Sequence, residues 1–374
     1  MMPHLLQPLS LRGVTARNRA WLAPMCQYSS VDGLVDDWHV VHLGSRAVGG
    51  FGLVMTEAAA VVPEGRITPH DAGLWNHEHV VAWSRVVRAV HAAGALAGVQ
   101  LAHAGRKAST HRPWATSRGS VALDDGGWAT FAPSAVAFPG LAEPRALTVA
   151  EIGAVVEAFA DAARRADAAG FDLVEVHAAH GYLLHQFLSP LSNHRTDAYG
   201  GTTENRARLL REVVAAVRAA WPDHKPLVVR VSATDWVEGG LEVEDVAAVC
   251  ATLAPLGVDL VDVSSGGNAL ADIPVGPGYQ VPLARRVREV SGLPVSAVGM
   301  LTDGPQVEKV LRDGGVDAVM VGRAALRDPY WVLRAAHELG VPVDGSPAQE
   351  PADDAPGAAA PRLWPAQYLR GTWG

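Results

Sequence analysis

Eight short apolar runs alternate along this chain with amphipathic, alanine-rich segments, and this repeat restricts the folds open to it. Strands that alternate with helices build parallel sheets that are buried on both faces. Eight repeats in one 374-residue chain favour an α/β fold of the (β/α)8 TIM-barrel type over a doubly wound sheet. The predicted strands occupy residues 20–24, 53–57, 97–101, 173–177, 227–231, 260–263, 295–298 and 318–321. The predicted helices include residues 80–93, 149–169, 203–220, 243–256 and 304–313, the second of which starts with the capping-box spacing of Thr148 and Glu151.

Two stretches depart from the repeat. Residues 107–145 are rich in Gly, Pro, Ser and Trp and lack periodicity, which predicts a capping loop or subdomain over the barrel. Residues 341–361 are rich in Pro, Ala and Asp and predict a flexible linker, after which residues 362–374 form an extended C-terminal tail. The barrel itself is expected to be a single domain over residues 1–340.

Charge and cysteine content narrow the function classes. The net charge of −8 and the scattered basic residues disfavour nucleic acid as a partner. No apolar run reaches the roughly 20 residues of a membrane span, and no signal-peptide pattern is evident, so we expect a cytoplasmic protein without membrane contact. Cys26 and Cys250 are too few for a disulfide framework or a four-thiolate iron–sulfur cluster.

The hexapeptide His177-Ala-Ala-His180-Gly-Tyr182 begins where the predicted strand 173–177 ends. Two histidines three residues apart suggest a metal pair, but zinc needs a third protein ligand and no Cys, Asp or Glu lies close by in sequence. Two neutral imidazoles also donate N–H groups to one substrate oxygen that gains negative charge, with Tyr182 beside them as a proton donor. The third interpretation is that His177 and His180 are ordinary polar loop residues and that Tyr182 serves only in packing.

Other polar residues fall at predicted strand ends, where TIM barrels place their active sites. They are Cys26, Gln100, Arg230, Ser264 and Ser265. A cation such as Arg230 at the end of an apolar strand needs an anion, either a neighbouring carboxylate or a ligand.

A phosphate site is predicted at the last two strand ends. Gly299 and Gly322 permit close backbone approach there, and Arg323 supplies positive charge.

Long stretches of this sequence resemble the old yellow enzyme family of FMN-dependent ene-reductases. The most specific are residues 172–190 (DLVEVHAAHGYLLHQFLSP) and 193–206 (NHRTDAYGGTTENR). The segments APMCQYS at 23–29, QLAHAGRK at 100–107 and QYLRG at 367–371 are similar to a bacterial subclass often called thermophilic-like. The resemblance covers about residues 5–339 and the last ten or so.

This resemblance implies FMN as cofactor, NADPH or NADH as hydride donor, and a small-molecule alkene activated by a carbonyl or nitro group as substrate. It implies that His177 and His180 hold the substrate oxygen, that Tyr182 protonates the substrate, and that Tyr28 also reaches the oxygen. It implies no metal. The cofactor-binding positions it implies are Pro24, Met25, Cys26, Ala59, Gln100, Arg230, Gly299, Gly322 and Arg323.

The matching arginine in this subclass reaches the active site of a neighbouring subunit. The resemblance therefore implies that Arg370 binds substrate in trans and that the protein is a homodimer or homotetramer with a shared active site. Docking of the tail on its own subunit, or a solvated tail without function, are the alternatives.

Three other functions compete with ene-reduction. The nearest is an FMN-dependent dehydrogenase or oxidase acting in the desaturation or demethylation direction, since one barrel hosts several chemistries. A metal hydrolase using His177 and His180, and a flavin-binding sensor, are the others; Tyr182 has no purpose in a sensor. Lys107 is interpreted as an ordinary loop charge, and His39, His42, His103 and His185 as structural or solvent-facing.

Overall fold

The computed structural model describes residues 2–341 and 363–373, and its centre is a closed barrel of eight parallel strands. Each strand pairs with the next in sequence, and the last pairs with the first through Val321 and Leu22, which closes the barrel. The predicted (β/α)8 fold is confirmed. The strands are β1 (Ala20–Leu22), β2 (Leu53–Ala60), β3 (Leu96–Ala102), β4 (Leu173–Ala178), β5 (Leu227–Ser232), β6 (Leu260–Ser264), β7 (Val295–Ala297) and β8 (Ala318–Val321).

Helices connect these strands. They are α1 (Asp37–Val48), α2 (His77–Ala92), α3 (Val149–Ala169), α4 (Leu183–Leu188), α5 (Thr203–Arg206), α6 (Arg208–Ala220), α7 (Val243–Ala251), α8 (Val281–Ser291), α9 (Gly304–Arg312), α10 (Arg323–Arg327) and α11 (Trp331–Glu338). The capping box predicted for α3 is present, because Thr148 accepts from the Glu151 N–H while Glu151 accepts from the Thr148 N–H.

Two predicted helix ranges are wrong in detail. The single helix expected over 203–220 is divided at Ala207, whose ψ of −9° departs from the α-helical value. The helix expected over 243–256 ends at Ala251, and a 3-10 turn at Ala254–Leu256 follows. Pro255 lacks the N–H that an α-helix would need there.

The barrel interior changes character along its axis. A separate apolar cluster that includes Trp21, Leu53, Met55 and Met320 fills one part of it. Towards the carboxyl ends of the strands the buried side chains become polar. These polar residues include Gln100, Glu175, His177, Arg230, Asp262, Ser264 and Ser296. These buried polar residues, called the polar floor below, therefore lie next to the apolar cluster, at the end of the barrel where active sites form.

The segment predicted as a cap, residues 107–145, contains only short elements. It includes a 3-10 turn at Leu123–Asp125 and the strand Phe131–Ala132, which pairs with Arg145–Ala146. Trp128 in this segment donates its indole N–H to the Glu64 carbonyl at 2.8 Å. This contact ties the segment to the loop that follows β2.

The described part of the tail contains a 3-10 helix at Ala366–Gly371, which packs near α11. The hydroxyls of Tyr330 and Tyr368 are 3.3 Å apart, and His337 stacks on Trp373. Most of the predicted linker at 341–361 lies outside the described residues. Within residues 2–341 and 363–373, no helix has the length and apolar character needed to cross a membrane.

Candidate active site

His177, His180 and Tyr182 come together where β4 ends, as the hexapeptide predicts. The ring centroid of His177 lies 5.2 Å from that of His180 and 5.0 Å from that of Tyr182, with near-perpendicular planes. Burial and the positive charge of Arg230 lower the pKa of both imidazoles well below the usual histidine range. Burial also raises the pKa of Tyr182 above its ordinary range. The group therefore offers neutral imidazoles and a protonated phenol at neutral pH.

The backbone of this turn is held by side chains. The N–H of Ala179 donates to His177 Nδ1 at 3.2 Å, and the N–H of His180 donates to Ser232 Oγ at 2.9 Å. His180 itself has a φ of 58°, in the left-handed region that residues other than glycine rarely adopt. Because Nδ1 of His177 accepts a hydrogen bond, the proton of its neutral ring is on Nε2. The turn is thus held in a conformation that sets the tautomer of His177.

A buried dyad behind the turn supports it further. His185 Nδ1 accepts the N–H of Gly181 at 2.9 Å, and His185 Nε2 lies 3.0 Å from Asp235 Oδ1. Asp235 also accepts from Ser189 Oγ at 2.6 Å and from the N–H of Leu241 at 2.9 Å. The sequence left His185 as structural or solvent-facing, because its partner Asp235 is on the loop after β5 and not on the same helix.

The ring of His180 is oriented by the end of β6. Its Nε2 lies 2.8 Å from Ser264 Oγ, whereas Ser264 Oγ is 3.3 Å from Gln280 Oε1. Gln280 Oε1 already accepts from Ser265 Oγ at 2.6 Å. These hydroxyl and amide contacts fix the position of the His180 ring. Within the described residues, no cluster of three or more His, Cys, Asp or Glu could hold a metal ion.

Lys107 is not the ordinary loop charge that the sequence suggested. Its Nζ donates to the carbonyl of His180 at 2.8 Å and to that of Gly267 at 2.9 Å. The ammonium also lies 5.2 Å from the ring centroid of Tyr182. The expectation was wrong because a lysine in a glycine-containing loop gives no local signal of burial; only the fold brings residues 180 and 267 to it.

A cavity of about 340 Å³ opens beside these groups at the carboxyl end of the barrel. Ser264, which contacts His180, and Arg230, which pairs in register with His177, both line it. Three arginines and no carboxylate occur among its described lining residues, so it suits an anion such as a phosphate. Six of the predicted cofactor positions line it, namely Pro24, Met25, Arg230, Gly299, Gly322 and Arg323.

The backbone at Gly322 faces open space in this cavity. A Cβ built there would meet only Met25 Sδ at 3.7 Å and the Ala23 Cβ at 3.9 Å. Gly322 is also the residue that precedes α10, so its neighbourhood presents N–H groups beside the guanidinium of Arg323. The arrangement fits the terminal phosphate of a mononucleotide such as FMN.

The polar floor below the cavity contains one guanidinium and two carboxyl groups. Arg230 Nε is 2.8 Å from Asp262 Oδ2, so the carboxylate partner considered from the sequence is present. Gln100 Nε2 donates to Glu175 Oε1 at 2.6 Å, while Glu175 Oε2 has no hydrogen-bond partner among the described residues. Burial, followed by the charge of Asp262, raises the pKa of Glu175. A neutral Glu175 leaves the Arg230–Asp262 pair electrically balanced beneath the cavity.

The loop after β1 supplies two further predicted residues. Cys26 and Tyr28 are partly buried, and Tyr28 has a φ of 49°. Burial raises the pKa of the Cys26 thiol and of the Tyr28 phenol, so both are neutral near pH 7. The side chain of Tyr28 contacts Trp114 of the 107–145 segment edge to face at 5.7 Å.

Ala59 and Arg370 are among the predicted site residues that do not line the cavity. Ala59 is a fully buried residue of β2 whose partner in register is Leu101. Arg370 lines a groove of about 890 Å³ between the tail and α11, together with Tyr330 and Arg334. The single chain therefore does not bring Arg370 to the cavity that Arg230 lines.

Comparison with known proteins gives a consistent result. Residues 4–341 match the family described as NADH:flavin oxidoreductase / NADH oxidase. An NADPH dehydrogenase from Halalkalibacterium halodurans is 45% identical over 337 residues, which cover 90% of this chain and 94% of that protein.

Solved structures share the fold at lower identity. Morphinone reductase in complex with tetrahydroNAD aligns with a TM-score of 0.75 and 29% identity, covering 91% of this chain and 92% of that one. An old yellow enzyme homologue from Zymomonas mobilis aligns with a TM-score of 0.76 and 28% identity, covering 91% and 94%. The resemblance inferred from the sequence motifs is confirmed.

Proposed function

The chain belongs to the NADH:flavin oxidoreductase / NADH oxidase family, and from this membership we propose that it reduces carbon–carbon double bonds conjugated to a carbonyl or nitro group. It is an FMN-dependent NADPH oxidoreductase of the old yellow enzyme type. FMN, when bound, would supply the hydride chemistry between the nicotinamide and the alkene. The protein supplies binding, orientation and the proton.

One observation carries the proposal: two neutral imidazoles and one protonated phenol lie together at the end of the barrel that also holds a cavity lined by three arginines. The neutral imidazoles of His177 and His180 bind the carbonyl or nitro oxygen of the substrate through their ring N–H groups. As negative charge develops on that oxygen, both hydrogen bonds strengthen, and losing one such donor typically costs about 3 kcal/mol. A neutral imidazole gives up no proton to the oxygen, so the oxygen stays anionic until the carbon is protonated.

Tyr182 donates the proton to the α-carbon. A phenol whose pKa is raised by burial stays protonated through the neutral range, and a carbanion-like centre is basic enough to take its proton. His177 packs against the phenol ring at 5.0 Å and so couples the position of the proton donor to that of the oxygen. Tyr28 contributes a second hydroxyl to substrate binding.

The cofactor is held by residues of the cavity and its floor. Arg323 and the backbone near Gly299 and Gly322 would hold the phosphate. Arg230 and Gln100 would hold the ring system, where the guanidinium would offset the negative charge that reduction adds. Pro24, Met25, Cys26 and Ala59 are the remaining positions assigned to FMN.

Arg370 belongs to the substrate side of a neighbouring subunit in this proposal. The tail lies on α11 of its own chain, away from the cavity, so a homodimer or a homotetramer built from dimers is needed to bring Arg370 to a substrate. The active site is then shared between two chains.

The test separates the two half-reactions by stopped flow. NADPH should bleach the flavin absorbance under anaerobic conditions, and 2-cyclohexen-1-one should restore it rapidly. Tyr182→Phe should slow reoxidation by about 10²- to 10⁴-fold and leave reduction by NADPH unchanged, because the proton is needed only in the second step. Tyr199→Phe, on the following loop, is the matched control and should behave like wild type.

Two results would count against this function. A flavin that NADPH reduces but no enone reoxidises would favour the dehydrogenase or oxidase alternative. Equal slowing of both half-reactions in Tyr182→Phe would mean that the tyrosine packs the site instead of donating a proton.

A further inference from the structure

We propose that Lys107 is a positioning residue of the active site, whose ammonium group fixes the His180 peptide and the ring of Tyr182 in their working geometry. The inference rests on the proposed function, since it assigns Lys107 to the half-reaction in which His180 and Tyr182 act. Lys107 itself need not touch the substrate. The inference is drawn from its contacts with the turn at His180, with the 107–145 segment and with the loop after β6.

The first contacts are two hydrogen bonds to backbone carbonyls on different elements. Lys107 Nζ donates to the carbonyl of His180 at 2.8 Å and to the carbonyl of Gly267 at 2.9 Å. The His180 peptide is in the left-handed region, with a φ of 58°. A conformation of that kind costs free energy and persists only where its surroundings hold it. The ammonium is one such restraint, and it also links the turn to the loop after β6.

The second contacts are two aromatic rings. Lys107 Nζ lies 5.2 Å from the ring centroid of Tyr182 and 4.7 Å from that of Phe138. A cation over an aromatic face is attracted by the ring quadrupole, and the attraction grows when water is excluded. Phe138 belongs to the 107–145 segment, so the ammonium group joins this segment to the proposed proton donor.

The neighbouring Arg106 strengthens the same junction. Its Nη1 donates to the Val136 carbonyl at 3.1 Å, and its Nη2 donates to the Asn268 carbonyl at 2.6 Å. Arg106 and Lys107 therefore bridge the same two regions, the 107–145 segment and the loop after β6. Only Lys107 continues from that bridge to the catalytic turn.

Lysine is rare in this chain, so the signal of Lys107 can be distinguished from those of the other lysines in an experiment. The other lysines are Lys225 and Lys309, and each is paired with an aspartate, Asp167 and Asp313 respectively. Among the described residues, Lys107 has no carboxylate within ion-pair distance. Lys107 is partly buried, and its ammonium contacts carbonyls and aromatic rings, so no neighbouring anion offsets its positive charge at the site.

The charge of Lys107 should be lost at mildly alkaline pH. Burial, followed by the positive charge of Arg106, lowers the pKa of Lys107 to about 8. The other titratable groups around it are His177 and His180, whose pKa values are lowered, and Tyr182, whose pKa is raised. The 107–145 segment contributes the ring of Phe138 to the surroundings of Lys107, and the loop after β6 contributes the carbonyl of Gly267. Because the pKa of Glu175 in the polar floor is also raised, only a loss of activity near pH 8 that disappears when Lys107 is replaced reports on Lys107.

The experiment compares Lys107→Met with Lys225→Met, the matched control on a distant loop. Both holoenzymes are reduced by NADPH and reoxidised by 2-cyclohexen-1-one, and both are titrated with 4-hydroxybenzaldehyde. Lys107→Met should keep its FMN and its reduction rate, reoxidise about 10²-fold more slowly, and bind the phenol about tenfold more weakly. Wild-type reoxidation should fall above about pH 8, and this fall should be absent in Lys107→Met.

Two measurements keep the inference open to refutation. Enzyme labelled with ¹³C at lysine Cε should show one of its lysine signals titrating near pH 8, and that signal should vanish in Lys107→Met. If Lys107→Met reoxidises and binds the phenol like wild type, or if no lysine titrates below its ordinary range, the inference is wrong. If wild type itself is not reoxidised by the enone, the proposed function fails instead, and phenol binding and the lysine titration still decide the role of Lys107.

Discussion

Gly181 packs against the backbone of Gly267 so closely that a Cβ built at Gly181 would lie 2.2 Å from the Gly267 carbonyl oxygen. Gly181 also has a φ of 71°, a conformation that an L side chain rarely adopts. The turn between His180 and Tyr182 therefore rests directly on the loop after β6. Two loops that are distant in sequence form one rigid unit at the active site.

Gly181→Ala should disrupt this unit. The added methyl group cannot be accommodated without moving a backbone, so we expect a loss of about 2–4 kcal/mol in the free energy of unfolding. Reoxidation by an enone should be largely lost as well. Gly153→Ala is the control: its Cβ position on α3 is open, and it should stabilise the protein by about 0.5–1 kcal/mol. Equal stability of the two variants in urea unfolding would contradict the close packing.

His177→Ala and His180→Ala should each weaken the binding of phenols, which mimic the enolate oxygen. Each removes one N–H donor to a negatively charged oxygen, worth about 1.5–3 kcal/mol, so the dissociation constant should rise about 10- to 100-fold. The long-wavelength band that phenols give with oxidised flavin measures the change. His194→Ala, on an exposed loop nearby, should bind phenol normally; unchanged affinity in both site variants would remove the oxygen-binding role.

The rate of reoxidation should not depend on pH between about 6 and 7.5. The lowered pKa values of His177 and His180 mean that both rings are already neutral at pH 6, so raising the pH through the ordinary histidine range near 6.5 removes no proton from them. A stopped-flow pH series with 2-cyclohexen-1-one checks this. A transition centred near pH 6.5 would show that at least one imidazole titrates normally.

Mixing subunits tests whether Arg370 acts in trans. Arg370→Ala and Tyr182→Phe should each be impaired alone while retaining FMN. If they are unfolded together and refolded as random dimers, about a quarter of the sites should combine Tyr182 of one chain with Arg370 of its partner. Activity should recover to that level. A double variant carrying both changes, mixed with itself, is the control; mixed dimers without recovery would place Arg370 outside the shared site.

The barrel and the catalytic hexapeptide followed from the sequence because both depend on short-range patterns. Apolar runs of strand length, such as residues 173–177, require only that neighbouring residues be buried together. The capping box of Thr148 and Glu151 is likewise local, and it formed as predicted. Helix ends were predicted less accurately. The helix is divided at Ala207, although the hydrophobic pattern continues there and no glycine or proline marks the break.

The supports of the active site came only with the tertiary structure. His185 pairs with Asp235, Arg230 pairs with Asp262, and Lys107 donates to two backbone carbonyls. Each of these contacts joins elements that are far apart in the chain. Such contacts produce no periodic pattern in the sequence, because the position of one residue in each pair depends on where another strand ends.

The sequence by itself determined the eight-stranded barrel and the imidazole and phenol groups at the end of β4. The tertiary structure decided which tautomer His177 adopts, through Ala179, and how the ring of His180 is held, through Ser264. It also decided that a partly buried lysine from a neighbouring loop lies beside them. The reason is physical: burial and strand formation respond to local hydrophobic pattern, whereas protonation and orientation respond to the few polar atoms that closure of the barrel brings within hydrogen-bond distance.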